Sequence, residues 1–583
     1  MSNNDQNNYI FKTDFADYAE LLSDSAFRSN VFKWFDYKLK DSEGDRKRSI
    51  LYIGQPSNAI NAFLEGLEAE IQTVAYDHND PGLAFSNIRK MSLESETAPA
   101  NNSYDYILVA GCPLVPEDLL IPGMNALETL FHELNVILKP EGTILFAADN
   151  EFGIRYITGT ERLADEVYVE RNELCNGILK NGFDFKAYYP YPDYRFTEAI
   201  YSDDRLPKPG DIKTVTPSYV NDRFDLMDEV SEIDRICRKG RYPDHSNSFL
   251  FVCYKKGTAL EPSEEQDVEY VKFNTGRAPE YRISTRIVEM CGRRYAVKKA
   301  ECPEAKDHLD SIVDNYQKLQ KIYDKMSFVK PEVRDDEVWF DFVAGDNLGE
   351  KLVKNLADRL NKVSDPDNEE TFKKALKGYA GFLNKITDSI LLNKNSEEKT
   401  YNIDCIPANI VITSETMAGM LDDSLEGISA DRCMCIDYEW VSDDTADGTD
   451  IDKYLEYRIY RYLYNDIAYL ITDKISPEDF VVMCGIDMMA IPDYEAMEDK
   501  FQQKVHGENR KYLYLPGYQK EVINKSYLEL KEIQTNAEIG NLKGIIANRE
   551  ERLRHREEQL ADIKKSIKNP IYGVKTLTKY KKK

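Results

Sequence analysis

Between Ser49 and Ala147 short apolar runs alternate with helix-patterned stretches, and this alternation constrains the fold more than any other feature of the chain. Ser49-Ile-Leu-Tyr-Ile-Gly54 reads as a strand ending in a turn at Gly54, with a helix from about Ser57. Ile71 to Asp77 is a second strand and Tyr106 to Ala110 a third. Glu117 to Leu138 reads as a helix, Lys139 to Gly142 as a turn and Thr143 to Ala147 as a fourth strand. Such a series buries its apolar faces around a largely parallel, doubly wound sheet. Ligands of these sheets lie beyond the carboxyl ends of the central strands. Gly54 and Asp77, an acid roughly twenty residues beyond the turn, are therefore the candidate cofactor-binding residues.

The order is similar to that of class I S-adenosylmethionine (SAM) methyltransferases, with the Leu138-Lys-Pro-Glu-Gly142 turn as the most recognisable piece. Asp149-Asn-Glu-Phe-Gly-Ile-Arg-Tyr-Ile-Thr-Gly159 and Tyr188-Tyr-Pro-Tyr-Pro-Asp-Tyr194 resemble a bacterial subgroup found with surface-polysaccharide synthesis. The resemblance spans roughly residues 40 to 260 and implies SAM as cofactor, at Gly54 and Asp77. Where that family places Gly-x-Gly, this chain has Gly54-Gln55-Pro56. A proline there adds a ring, fixes φ and deletes an N–H. Two expectations follow: an atypical SAM site, or a retained fold whose site is vestigial.

The second half carries a different pattern. Tyr401-Asn-Ile-Asp-Cys-Ile-Pro-Ala-Asn-Ile-Val-Ile is followed, after a polar stretch, by Met434-Cys-Ile-Asp-Tyr-Glu-Trp440. An Asp on a loop, an Asn five residues on and an Asp at a strand end are the polar groups that phosphoryl transfer requires. Asp404 is the candidate catalytic base, and Asn409 and Asp437 are the candidate Mg ligands on the ATP phosphates. The spacing resembles the aminoglycoside phosphotransferase and choline kinase-like superfamily. Upstream, Val268–Thr275, Tyr281–Glu289 and Arg294–Lys299 read as three strands, the third presenting Lys298 as the ATP phosphate-pairing lysine, with Lys299 on the opposite face as the fallback. The helix from Ala305 to Tyr323 offers Asp310 or Asp314 as its acidic partner. No Gly-x-Gly-x-x-Gly is present; Asn274-Thr-Gly-Arg277 is the only candidate phosphate loop. Val338 to Leu348 looks like an adenine hinge, and Asn402 stands where kinases usually place a histidine. Glu439 and Trp440 read as packing residues.

With 103 acidic against 76 basic residues the net charge is −27, so the chain has no general basic face for nucleic acid. The ten cysteines show no Cys-x-x-Cys pair, which fits buried thiols in a reducing cytoplasm, and the six histidines have no zinc-ligand spacing. Neither a signal peptide nor a membrane-spanning run is apparent. Ile539, Leu542, Ile546, Leu553, Leu560, Ile563 and Ile567 follow heptad spacing, interrupted by Arg549 and Arg556. A self-associating coiled coil of about 43 Å is expected there. Beyond Pro570, a lysine-rich amphipathic end suits peripheral contact with an anionic membrane face.

The expected fold class is α/β. A Rossmann-like methyltransferase-type domain at 46–260 follows an N-terminal helical segment at 1–45. A bilobal α+β kinase-like domain at 265–518 comes next, then a helical coiled coil at 519–568 and a basic tail at 569–583. This order resembles the bifunctional methyltransferase and kinase (WbdD-type) chain terminators of bacterial O-antigen synthesis. The resemblance implies a cytoplasmic enzyme at the inner face of the cytoplasmic membrane that phosphorylates a lipid-linked glycan, its coil engaging a polysaccharide synthase or glycosyltransferase. Two alternatives stand beside a phosphotransferase with a vestigial methyltransferase half: a catalytically silent scaffold, and a fully bifunctional enzyme.

Overall fold

The computed structural model describes residues 18–38, 47–77, 80–97, 104–163, 166–216, 223–224, 226–257, 267–323, 325–363, 369–386, 390, 400–413, 429–442, 451–468, 471, 475–507, 522–523, 543, 546–547, 549–561 and 564–565. Residues 1–221 and 229–520 form one compact unit; 222–228 and 521–583 form a second.

The first unit is built on one 13-stranded sheet. Its early strands are β1 (Ser49–Gly54), β2 (Glu70–Ala75), β3 (Tyr104–Ala110), β4 (Leu138–Asn150), β5 (Tyr168–Val169), β6 (Phe183–Tyr191) and β7 (Ala199–Ser202). In the second unit, β8 (Arg223–Phe224) pairs in parallel with residues 522–523. The first sheet continues with β9 (Ser248–Lys255), β10 (Asp267–Lys272), β11 (Ile283–Met290) and β12 (Arg293–Ala300). It is completed by β14 (Pro331–Arg334) and β15 (Glu337–Asp341), which follow the short β13 (Ser327–Phe328).

Strands β2, β1, β3 and β4 run parallel, and β9 lies antiparallel between β4 and β6. Both faces of these strands are buried, as their unbroken apolar runs require. Leu51, Ile53, Ile107, Val109, Ile144 and Phe146 pack on one side, and Ile50, Tyr52, Leu108 and Leu145 on the other. The helix expected from Glu117 begins only at Ala126. Pro122-Gly123 interrupts the run, and Asn125 and Glu128 form a capping box that fixes the true start. The expected turn at 139–142 lies within β4, whose pairing with β3 shifts register between Tyr104 and Tyr106.

The sheet does not stop at the stretch between the two expected domains. β10 pairs antiparallel with β7, so the strands of the second half extend the first half's edge in the order β10-β11-β12-β15-β14. The helix Lys306–Ile322 packs Leu309, Ile312 and Leu319 into the core of the second half. Small sheets follow, built from β16 (Asp346–Asn347), β17 (Tyr401–Asn402), β18 (Ile410–Ile412), β19 (Cys433–Cys435) and β20 (Val441–Ser442). Helices Leu348–Asn361, Glu369–Ile386, Ile451–Tyr462 and Ile491–His506 enclose them.

In the second unit residues 549–561 are helical, and Leu553 and Leu560, one heptad apart, are exposed. The remaining core positions of the expected coil, apart from Ile546, Arg549 and Arg556, lie outside the described residues, as do the basic tail at 569–583, most of the N-terminal segment and the linker at 258–266. Among the described residues no helix is long and apolar enough to cross a membrane.

Candidate functional site

Lys298, the loop carrying Asp404 and Asn409, and the segment carrying Asp437 are three separate stretches of chain that the fold brings together. Two loops are zipped together to place Asp404, Asn409 and Asp437. β17 pairs with β20 through Tyr401–Ser442 and Asn402–Val441, and β18 pairs with β19. The Ile436 amide donates to the Asn409 carbonyl at 2.9 Å. The Trp440 amide donates to Asp404 Oδ2 at 2.9 Å, and the Asn409 carboxamide donates to the Asp404 carbonyl at 2.9 Å. Asn402 supports the loop that carries Asp404. Its Oδ1 accepts the Asp404 amide at 3.0 Å in an Asx turn, and buried Arg458 donates to its carbonyl at 3.2 Å. The loop is also held from the Leu348–Asn361 helix, where Asn347 Nδ2 donates to the Ala408 carbonyl at 2.7 Å. Any Cβ on Gly349 would lie 2.8 Å from Ala408 Cα.

Lys298, nearly buried on β12, donates to Asp437 Oδ1 at 2.7 Å and to Glu439 Oε2 at 2.9 Å. Burial alone would lower its pKa, but the two carboxylates outweigh that and hold its ammonium well above the ordinary lysine range. Lys299 points to the other face and pairs with Asp336 and Glu337 at 3.5 and 3.4 Å. The acidic partner expected from the Lys306–Ile322 helix is not supplied by Asp310 or Asp314, which are exposed; Asp310 pairs with Lys306 on its own helix. That helix contributes His308 and Asn315. His308 Nε2 lies 3.2 Å from Glu439 Oε1, and Asn315 donates to the carbonyls of Tyr438 and Glu439 at 3.1 Å each.

Glu439 is therefore the hub, although its sequence position reads as packing. It pairs with Arg277 and Lys298 and meets His308, and although burial would raise its pKa, the Arg277 and Lys298 charges with the His308 hydrogen bond hold it well below the carboxylate range. Its spacing from Asp437 was the available signal, since i and i+2 of an extended segment share a face. Arg277 and His308 carry no such signal, because only the folded chain brings them to Glu439. The Asn274–Arg277 loop is pinned at several points. The Ala278 amide donates to the Val505 carbonyl at 2.9 Å, His506 Nδ1 donates to the Gly276 carbonyl at 2.9 Å, and Thr275 meets Asn30.

Burial, with the Asp437 and Glu439 carboxylates next in weight, pushes Asp404 up to about 7, against the opposing pull of Arg461 and the Trp440 amide. A carboxylate so tuned suits a general base near neutrality. No described cluster of three or more His, Cys, Asp or Glu forms a resident metal centre. A Mg ion arriving on a nucleotide needs only one or two protein ligands, and Asp437 with the Asn409 carboxamide oxygen fits that demand.

The first half is arranged differently. Gln55, Tyr76, Asp77, Gly111, Tyr194 and Arg195 line the crevice where the strand order reverses between β1 and β3, and its volume is only about 70 Å³. Small-molecule sites run to about 300–1,000 Å³. Tyr76 and Tyr194 are among the residues that line this crevice. Tyr52 Oη donates to the Gln55 carbonyl at 2.8 Å and Tyr76 Oη to the Gly111 carbonyl at 2.5 Å. A Cβ on Gly54 would meet Tyr52 Oη at 2.8 Å, and one on Gly111 would meet Tyr194 Oη at 3.0 Å. Asp77 lines the crevice and bridges to Asp80. As folded, these residues do not fit S-adenosylmethionine. Calorimetric titration of SAM into the protein should show no binding at micromolar concentration; micromolar binding would mean that the crevice opens to admit it.

No family model matches the chain, and no curated protein matches it. Among solved structures it is similar to SAM-dependent methyltransferases. One from Archaeoglobus fulgidus is 13% identical, with 41% of this chain and 96% of that one covered, at a TM-score of 0.24. The CcbJ methyltransferase of Streptomyces caelestis is 11% identical, with 42% and 98% covered, at 0.22. A TehB-like SAM-dependent methyltransferase of Corynebacterium glutamicum is 8% identical, with 40% and 88% covered, at 0.20. Likenesses at these scores carry no part of the chemistry below, which rests on the side chains.

Proposed function

We propose that the second half is a Mg·ATP-dependent phosphotransferase acting on a hydroxyl of a lipid-linked surface glycan, and that the first half is a vestigial methyltransferase fold serving as its support. One observation carries the reading: Asp404, Asn409, Asp437 and Lys298 converge, each fixed by a named hydrogen bond or ion pair. Asp404 takes the proton of the acceptor hydroxyl as that oxygen attacks the γ-phosphorus and the bond to ADP breaks. Asp437 and Asn409 would hold Mg, which neutralises charge on the phosphates. Lys298 orients Asp437. The acceptor class rests on the sequence resemblance alone, as do the polysaccharide synthase or glycosyltransferase partner and the membrane contact of the tail.

The test is transfer of the ATP γ-phosphoryl group to lipid-linked glycan extracts, with Asp404→Asn as control. Label in the glycan fraction that appears with wild type and not with the variant supports the reading; none with either removes it. A silent scaffold is the second reading. It draws on the saturation of Lys298 and Arg277 by the chain's own carboxylates, which leaves neither cation free. Self-association is tested separately by light scattering on the full chain and on a chain ending near Tyr518. A larger assembly only for the full chain is expected, and equal states would sink the coiled coil.

A further inference from the structure

With Lys298 and Arg277 both paired to carboxylates, a further cation nearby would strengthen the hold on a polyphosphate. Lys272 is the last residue of β10, the strand that joins the two halves. Register places it opposite Thr285 on β11, and Thr285 opposite Lys298 on β12. Residues directly opposed in antiparallel strands share a face, so Lys272, Thr285 and Lys298 form one cross-strand row on the face that looks onto Asp437. Two strand spacings separate the lysines by about 10 Å. Lys272 is solvent-accessible where Lys298 is buried, and no described carboxylate lies within ion-pair distance of its amine. Its crowded surroundings, and next the Arg277 charge from the loop beyond it, lower its pKa against the pull of Asp437 and Glu439 from the second half and Glu198 from the first. Glu198 is held against this strand end by its own backbone, the Phe273 amide donating to its carbonyl at 2.9 Å.

We infer that Lys272 is a phosphate-binding residue of the nucleotide cleft, the accessible cation that receives the triphosphate while Lys298 is committed to positioning Asp437. The inference rests on the phosphotransferase reading and adds to it a residue that no motif assigns. It also gives the first half a task, because β7 fixes the strand end from which Lys272 projects, through the pairing of Lys272 with Ala199. The placement suits a polyanion rather than the nucleoside, since the row lies at the loop end of β10 and not at the segment after β15.

The test is calorimetric titration of the full chain with Mg·ATP and with adenosine. Loss of a charge-assisted hydrogen bond should weaken Mg·ATP binding by Lys272→Met about ten- to hundredfold. Adenosine affinity should stay unchanged, and Lys272→Arg should remain close to wild type. If the Met variant fails to fold, Lys272→Gln gives the same comparison with a polar side chain. Unchanged Mg·ATP affinity in the Met or Gln variant overturns the inference, and so does an equal loss for adenosine. A wild-type chain that binds no Mg·ATP overturns the phosphotransferase reading as well, which separates the two failures.

Discussion

Glu439→Ala should lower stability by about 3–5 kcal/mol, seen as a fall in denaturant midpoint without a change of slope. The substitution removes the one carboxylate shared by Arg277, Lys298 and His308, and leaves buried Lys298 and the partly buried Arg277 and His308 around a gap. Lys298 retains Asp437, but Arg277 loses its ion-pair partner, and the β10–β11 loop loses its tie to the Asp437 segment. Lys208→Ala offers the contrast. It breaks an ion pair with Glu350 of 2.8 Å whose side chains are 60% and 50% exposed, and should cost under about 0.5 kcal/mol. A midpoint for Glu439→Ala equal to that of Lys208→Ala would show that the hub does not hold the cleft together. Glu439 is held low by its cations, so its contribution is present above the ordinary glutamate pKa and is lost as pH falls toward its depressed folded value.

Asp404→Asn should behave in the opposite sense on stability and far more severely on rate. Phosphoryl transfer should fall about 10²- to 10⁴-fold, the usual contribution of a general base. Stability should hold or rise slightly, because a negative charge beside Asp437 and Glu439 disappears. The pH dependence has a definite sign. With Asp404 raised to about 7, the folded chain binds a proton that the unfolded chain releases near pH 4. From this group, stability therefore declines as pH rises from about 4 to 7, and levels off above. Activity runs the other way. The base works only when ionised, so kcat should fall as pH drops through about 7. Equal rates for wild type and Asp404→Asn across that range would remove Asp404 from the chemistry.

How much of this was legible in the sequence depends on the range of the contacts. The apolar runs of β1, β3 and β4 and the Asp404, Asn409 and Asp437 spacing are local patterns, and the structure draws those three residues together. The hidden part is non-local. Nothing in the chain announces that β10 would join β7, because strand pairing is a register between segments about seventy residues apart. The partner of Lys298 was sought on the following helix, by analogy with kinases. It comes instead from Asp437 and Glu439, well over a hundred residues onward. The helix supplies His308 to the same carboxylate. In the first half Pro56 marked an altered loop, but the tyrosines that line the crevice, Tyr76 after β2 and Tyr194 after β6, are brought there only by the fold.

Thermal unfolding of the wild-type chain and of Asp437→Ala, each with Mg alone, ATP alone and both together, tests the central claim most directly. The phosphotransferase cleft predicts that Mg and ATP together raise the wild-type midpoint beyond either alone, by mass action on the folded state. Asp437→Ala, which removes the carboxylate that would hold Mg and one partner of Lys298, should lose the increment that depends on both. No joint increment in the wild type, or an equal one in Asp437→Ala, would contradict it.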